Sequence, residues 1–111
     1  MNIGSLVGQI GAIGTPAYAA SKSALIGFTK AVAREVARKG ITVNCISLGY
    51  FDGGGLLETV PHKIAESILA GIPVGRWGRP EEITSAINYL ASDLGGYITG
   101  QCININGGYY M

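Results

Sequence analysis

Three short runs rich in β-branched and apolar residues, 2–7 (NIGSLV), 41–47 (ITVNCIS) and 101–106 (QCININ), are separated by stretches of helical length. Runs of about four to eight such residues, bounded by glycine, read as strands. Strands joined through helices rather than tight turns pair in parallel. The order is therefore β-α-β-α-α-β, an α/β arrangement. Parallel strands are buried on both faces, which places the three runs in a doubly wound sheet. On this reading the first strand lacks a neighbour that its apolar sequence needs, so the sheet is expected to be part of a larger one.

The connecting segments carry ordinary helix punctuation. Thr15-Pro16 offers a cap and a proline at the first helical position, and the pattern predicts a helix to about Lys39. Arg38 and Lys39 suit its negative end, and Gly40 suits a left-handed stop. Leu25, Phe28, Val32 and Val36 are expected to face inward, with Lys30, Arg34 and Arg38 as a solvated stripe. A glycine-heavy loop at 48–55 precedes a short helix from about Pro61 to Ala70, and residues 56–71 are expected to form a lid. Pro80-Glu81-Glu82 opens a third helix whose Ile83, Ile87 and Leu90 share a face.

Composition narrows the function classes. At 111 residues, with 48% hydrophobic and 14% charged residues, the chain builds the core of a single domain. A net charge of +1 gives no electrostatic case for nucleic acid or an anionic membrane. The N-terminus lacks a basic leader pattern, and no apolar stretch approaches the ~18 residues of a membrane span. Cys45 and Cys102 lie inside strand runs, without disulfide-framework or metal-ligand spacing, and read as buried free thiols. A reducing cytoplasm is the expected setting. Gly8, Gly11 and Gly14 make a glycine-rich loop, but its spacing is not that of a dinucleotide-binding turn and no acidic partner follows.

Chemistry concentrates on the long helix. Tyr18 and Lys22 are one turn apart and about 40° apart around the axis. Lys22 sits roughly 80° round from Lys30, so it turns from the basic stripe toward Ile26 and Thr29. An ammonium beside a phenol favours the phenolate and eases proton exchange. Composition alone predicts about 0.2 such tyrosine–lysine pairs, falling to roughly 0.01 once a serine thirteen residues upstream, Ser5, is required. A hydrolase reading of Ser5 fails, because no Gly-x-Ser-x-Gly elbow surrounds it and the sole histidine, His62, lies on the expected lid. His62 reads as exposed, Asn2 as a structural strand-end asparagine, and Trp77 as packing at the lid base or a subunit contact.

Ser5 followed by Tyr18-Ala19-Ala20-Ser21-Lys22 resembles the Ser…Tyr-x-x-x-Lys signature of the short-chain dehydrogenases/reductases. The likeness continues through Ala33-Arg34-Glu35, Ile41-Thr42-Val43-Asn44 and Gly75-Arg76-Trp77-Gly78-Arg79-Pro80-Glu81-Glu82. It extends to Leu90-Ala91-Ser92-Asp93, Tyr97-Ile98-Thr99-Gly100 and Asn106-Gly107-Gly108. Within the family the chain is most similar to 3-oxoacyl-[acyl-carrier-protein] reductases and acetoacetyl-CoA reductases.

The resemblance implies a fold and a set of roles. The chain corresponds to the C-terminal half of a Rossmann-like doubly wound sheet, residues 1–111 being a partial domain, with the N-terminal dinucleotide-binding half expected outside it. Tyr18 is implied as proton donor to a carbonyl, Ser5 as hydrogen-bond donor to its oxygen, and Lys22 as partner of Tyr18 and of the nicotinamide ribose. Gly49 and the backbone of Phe51 are implied cofactor contacts. The family's upstream asparagine has no counterpart. Leu48 replaces a usual proline, and Gly53 stands where a cofactor-contacting threonine is usual. The implied cofactor is NADP(H), or NAD(H), incompletely bound by this half. The implied substrate is a 3-oxoacyl thioester, with acyl carrier protein as a candidate partner at Arg38 or Lys39 and a homotetramer as the assembly. Two other readings stay open: a non-catalytic piece that associates with itself or with full-length reductases, and a dehydrogenase of other carbonyl or alcohol substrates.

Overall fold

The computed structural model describes residues 1–111, save the side chains of Leu56 and Leu57. Strand β1 (Asn2–Ser5) leads directly into a one-turn helix, α1 (Val7–Ile10), and then into the long α2 (Pro16–Val36). Strand β2 (Cys45–Leu48) follows, then α3 (Gly55–Thr59), α4 (His62–Ala70), α5 (Pro80–Ala91) and β3 (Cys102–Ile105). The three strands form one parallel sheet in the order β1-β2-β3, so β1 is an edge strand. This is an α/β fold consistent with part of a Rossmann-like sheet.

Several local expectations are corrected. Leu6 and Val7 leave the strand: Leu6 buries its side chain, and Val7 begins α1, so Gly8 lies in a helix rather than a loop. Gly8 is required there because a Cβ would stand 2.7 Å from the backbone of Lys22 and Ser23. Thr15 occupies the expected cap position, yet its hydroxyl donates back to Ala12 O at 3.2 Å and caps nothing. Helix α2 ends at Val36, and residues Ala37–Lys39 tighten into a 3₁₀ turn before Gly40 at φ 74°.

The inward face of α2 is centred on Thr29 and Ala33, with Leu25, Val32 and Val36 half-buried as expected and only Phe28 of the expected set turned outward. Thr29 and Ala33 are buried, whereas Phe28 is 56% exposed. Small side chains at the contact let the helix lie close to the sheet: a Cβ on Gly100 would already be 3.5 Å from that of Ala33. The basic stripe Lys30, Arg34 and Arg38 is exposed as expected.

Residues 41–44 do not join the ladder. Side chains share the bonding there with two backbone links, Asn2 N–H to Asn44 O at 2.8 Å and Gly100 N–H to Val43 O at 2.7 Å. Val43 N–H donates to Thr99 Oγ1 at 3.0 Å, and Asn44 links Ile98 O and Gln101 N–H at 2.7 and 3.1 Å. The ladder proper begins at Cys45, paired in register with Asn2 and Cys102. Leu6, Ala33, Cys45, Ile46, Ile72 and Leu90 make the core, and Ile83 and Ile87 are half-buried on the same helix as Leu90. Cys45 and Cys102 are free thiols, the first buried and the second half-buried. Among the described residues no helix is long and apolar enough to cross a membrane.

Candidate functional site

Ser5 closes β1, at the carboxyl end of the parallel strands, where ligands of open α/β sheets bind. Its Oγ accepts a hydrogen bond from Val7 N–H at 3.2 Å, because the turn into α1 folds that amide back over the serine. Among the described residues the hydroxyl hydrogen has no acceptor, so it is available to an incoming oxygen.

Tyr18 and Lys22 are placed by the first turns of α2, started by Pro16. Lys22 Nζ lies 5.7 Å from the centroid of the Tyr18 ring and donates to Ile3 O at 2.9 Å. The lysine thus spans from helix to strand β1 while remaining beside the phenol. As expected it points to the side of Ile26 and Thr29, where Asn2 Nδ2 donates to Thr29 Oγ1 at 2.9 Å and acts as a structural tie.

Ser5, Tyr18, Lys22, Gly49 and Phe51 all line one cavity of about 850 Å³. Its far wall is Val60, Ile64, Ile68 and Ile83, contributed by the expected lid segment and α5. Leu56 and Leu57, the first residues of that segment, have side chains outside those described. Of the wall residues, Ile83 belongs to the apolar face expected of α5, whereas Val60, Ile64 and Ile68 are not singled out from the sequence, although Ile64 and Ile68 stand at the i, i+4 spacing that finds such a face. Gly49 is held against β3: a Cβ there would stand 2.6 Å from Asn106 Cβ. Phe51 forms a parallel bridge with Gly78 through Tyr50 O and Asp52 N–H, which leaves its own N–H and C=O turned away from Gly78.

An aromatic cluster adjoins the same cavity, which Tyr50 also lines. Tyr50 packs edge-on against Trp77 at 6.3 Å and against Tyr109 at 5.2 Å. Burial, with Tyr109 beside it, pushes the Tyr50 phenol above its ordinary value, and it keeps its proton. His62 is exposed on α4, 3.5 Å from Glu66.

A family model described as "Enoyl-(Acyl carrier protein) reductase" matches residues 1–110. The chain belongs to the short-chain dehydrogenases/reductases. Among curated relatives of that family, it is 44% identical to the 3-oxoacyl-[acyl-carrier-protein] reductase of Vibrio cholerae over 111 residues, 100% of the chain and 45% of the relative. It is 48% identical to the acetoacetyl-CoA reductase of Shinella zoogloeoides over 112 residues, 100% of the chain and 46% of the relative. Nodulation protein G of Azospirillum brasilense is 46% identical over 108 residues, 97% of the chain and 44% of the relative. This short-chain dehydrogenase/reductase sequence therefore spans less than half the length of the curated relatives it matches.

Proposed function

We propose that this chain is the proton-transferring half of an NADP(H)-dependent reductase of 3-oxoacyl thioesters. The observation that carries the reading is the convergence of Ser5, Tyr18 and Lys22 on one largely apolar cavity at the carboxyl end of a parallel sheet. Tyr18 gives its proton to the carbonyl oxygen. Ser5 donates its unengaged hydroxyl hydrogen to the same oxygen, where negative charge develops in the transition state. Lys22 keeps positive charge beside the phenol.

The residues fit the nicotinamide end of a dinucleotide. One of the three Lys22 ammonium hydrogens is taken by Ile3 O, leaving two for vicinal ribose hydroxyls. Gly49 and the backbone of Phe51 form the adjoining wall. When bound, the nicotinamide supplies the hydride. The Val60, Ile64, Ile68 and Ile83 wall suits an acyl chain, carried on coenzyme A or on an acyl carrier protein that meets Arg38 or Lys39. The isolated chain turns nothing over, because it supplies no turn to hold the pyrophosphate, and the full-length reductase works as a homotetramer.

The test is NADPH oxidation with acetoacetyl-CoA, using this sequence grafted onto the N-terminal half of the Vibrio cholerae relative. Activity that vanishes in Tyr18→Phe supports the reading. Oxidation with a 2-enoyl thioester alone would transfer it to the enoyl reduction that the family description names. A second reading, association without catalysis, is favoured by the exposure of Phe28, Leu94 and Tyr97. A monodisperse oligomer on sizing chromatography, together with an inactive graft, would make it the better one.

A further inference from the structure

We infer that Gln9 is a positioning residue that sets Ser5 against Tyr18 and Lys22 by locking α1 in place. The inference rests on the reductase reading for the role of Ser5 and concerns a side chain that reading does not use.

Helix α1 is too short to hold itself, since a single turn gains little from its own hydrogen bonds. It is clamped from two sides. On one side Gly8 presses on the Lys22–Ser23 backbone, with no room for a Cβ. On the other, Gln9 Nε2 donates to Cys102 Sγ and to Asn104 Oδ1, both at 3.0 Å, on strand β3. That reach crosses the sheet, because α1 follows β1 and β2 lies between. The serine is tied to this clamp by Val7 N–H, the first amide of α1, which donates to Ser5 Oγ. Gln9 therefore fixes one end of a rigid element whose other contacts are the catalytic serine and the lysine's own helix.

The clamp is not the most stable solution for its surroundings. Among the described residues, Gln9 Oε1 is buried without a hydrogen-bond partner, and so is the hydroxyl of Ser47, which pairs in register with Asn104. An apolar side chain of similar size would avoid leaving a buried acceptor unpaired. Retaining an amide here is understandable if its donors serve to aim α1 rather than to stabilise the fold.

Two measurements test this. In the 111-residue chain, Gln9→Leu and Asn104→Leu should each speed hydrogen exchange at Val7 and at the Ile10 and Gly11 amides about tenfold. The Cys45 and Gly49 amides should be unaffected, and Asn104→Asp, which keeps the acceptor, should exchange like the parent. Unchanged exchange at Val7 would overturn the inference whether or not the reductase reading holds. In the grafted reductase, Gln9→Leu should lower kcat about tenfold with KM unchanged, and less than about twofold when Ser5 is already alanine. Equal losses in both backgrounds would mean a merely structural role and would also overturn it. A graft with no reductase activity would count against the reductase reading alone, and the exchange result would still decide the inference.

Discussion

Lys22 Nζ stands 5.7 Å from the centre of the Tyr18 ring while bonded to the carbonyl of Ile3 at 2.9 Å. The pair is therefore anchored to the strand that ends in Ser5, and its spacing does not depend on the helix alone. Lys22→Met keeps most of the side-chain volume and removes both the charge and the tie. In the grafted reductase it should lower kcat by about a hundredfold or more, measured as NADPH oxidation. A loss below tenfold would show that the ammonium contributes little beyond packing.

Two glycines on neighbouring helices should respond in opposite directions. Gly8→Ala forces a methyl to within 2.8 Å of Lys22 backbone and Cβ atoms, and should destabilise the fold by about 1–3 kcal/mol. Gly27 lies mid-way along α2, and a methyl added there would meet nothing within 4 Å, so Gly27→Ala should stabilise by about 0.5–1 kcal/mol. Urea unfolding followed by circular dichroism distinguishes the two.

Glu82 fastens the start of α5. Its carboxylate accepts from Arg76 Nη2 at 2.6 Å and from the Arg79 N–H at 2.8 Å. These bonds, the Arg76 one first, lower its pKa from 4.5 to about 2. A depressed carboxyl pKa means that the stabilisation is complete above the unfolded value of 4.5 and is lost as pH falls toward 2. Titration of the Glu82 carboxyl by NMR should give a midpoint about 2, and Arg76→Met should return it toward 4.5.

The two thiols should differ in reactivity. Burial, and then the neighbouring Cys102, push the Cys45 thiol above its ordinary value, while Cys102 is half-buried. Under native conditions iodoacetamide should add to Cys102 and spare Cys45, and in urea both should react. Peptide mass analysis that finds Cys45 modified first would contradict this placement.

What could be read along the chain was what short stretches of chain enforce. Pro16 opens the long helix and Gly40 stops the 3₁₀ turn that extends it, because a fixed φ and a left-handed stop act on their own residues. The tyrosine–lysine spacing survives into the structure because a helix converts four residues into one turn wherever it is placed. The parallel order of the strands followed from the helical length of their connections. The tertiary structure decided what those signals leave degenerate. The apolar pattern of α2 is wider than its contact, and close approach centred that contact on the small Thr29 and Ala33, keeping Leu25, Val32 and Val36 at its side and leaving Phe28 outside. The run at 41–44 has strand composition, yet the ladder starts only at Cys45, and Asn44 and Thr99 side chains share the bonding of Val43 and Asn44 with their backbone. Gln9 meets Cys102 and Asn104 only because sheet register brings together residues more than ninety positions apart. No local periodicity carries such a contact, so the residues of the candidate site were legible in the sequence and their mounting was not.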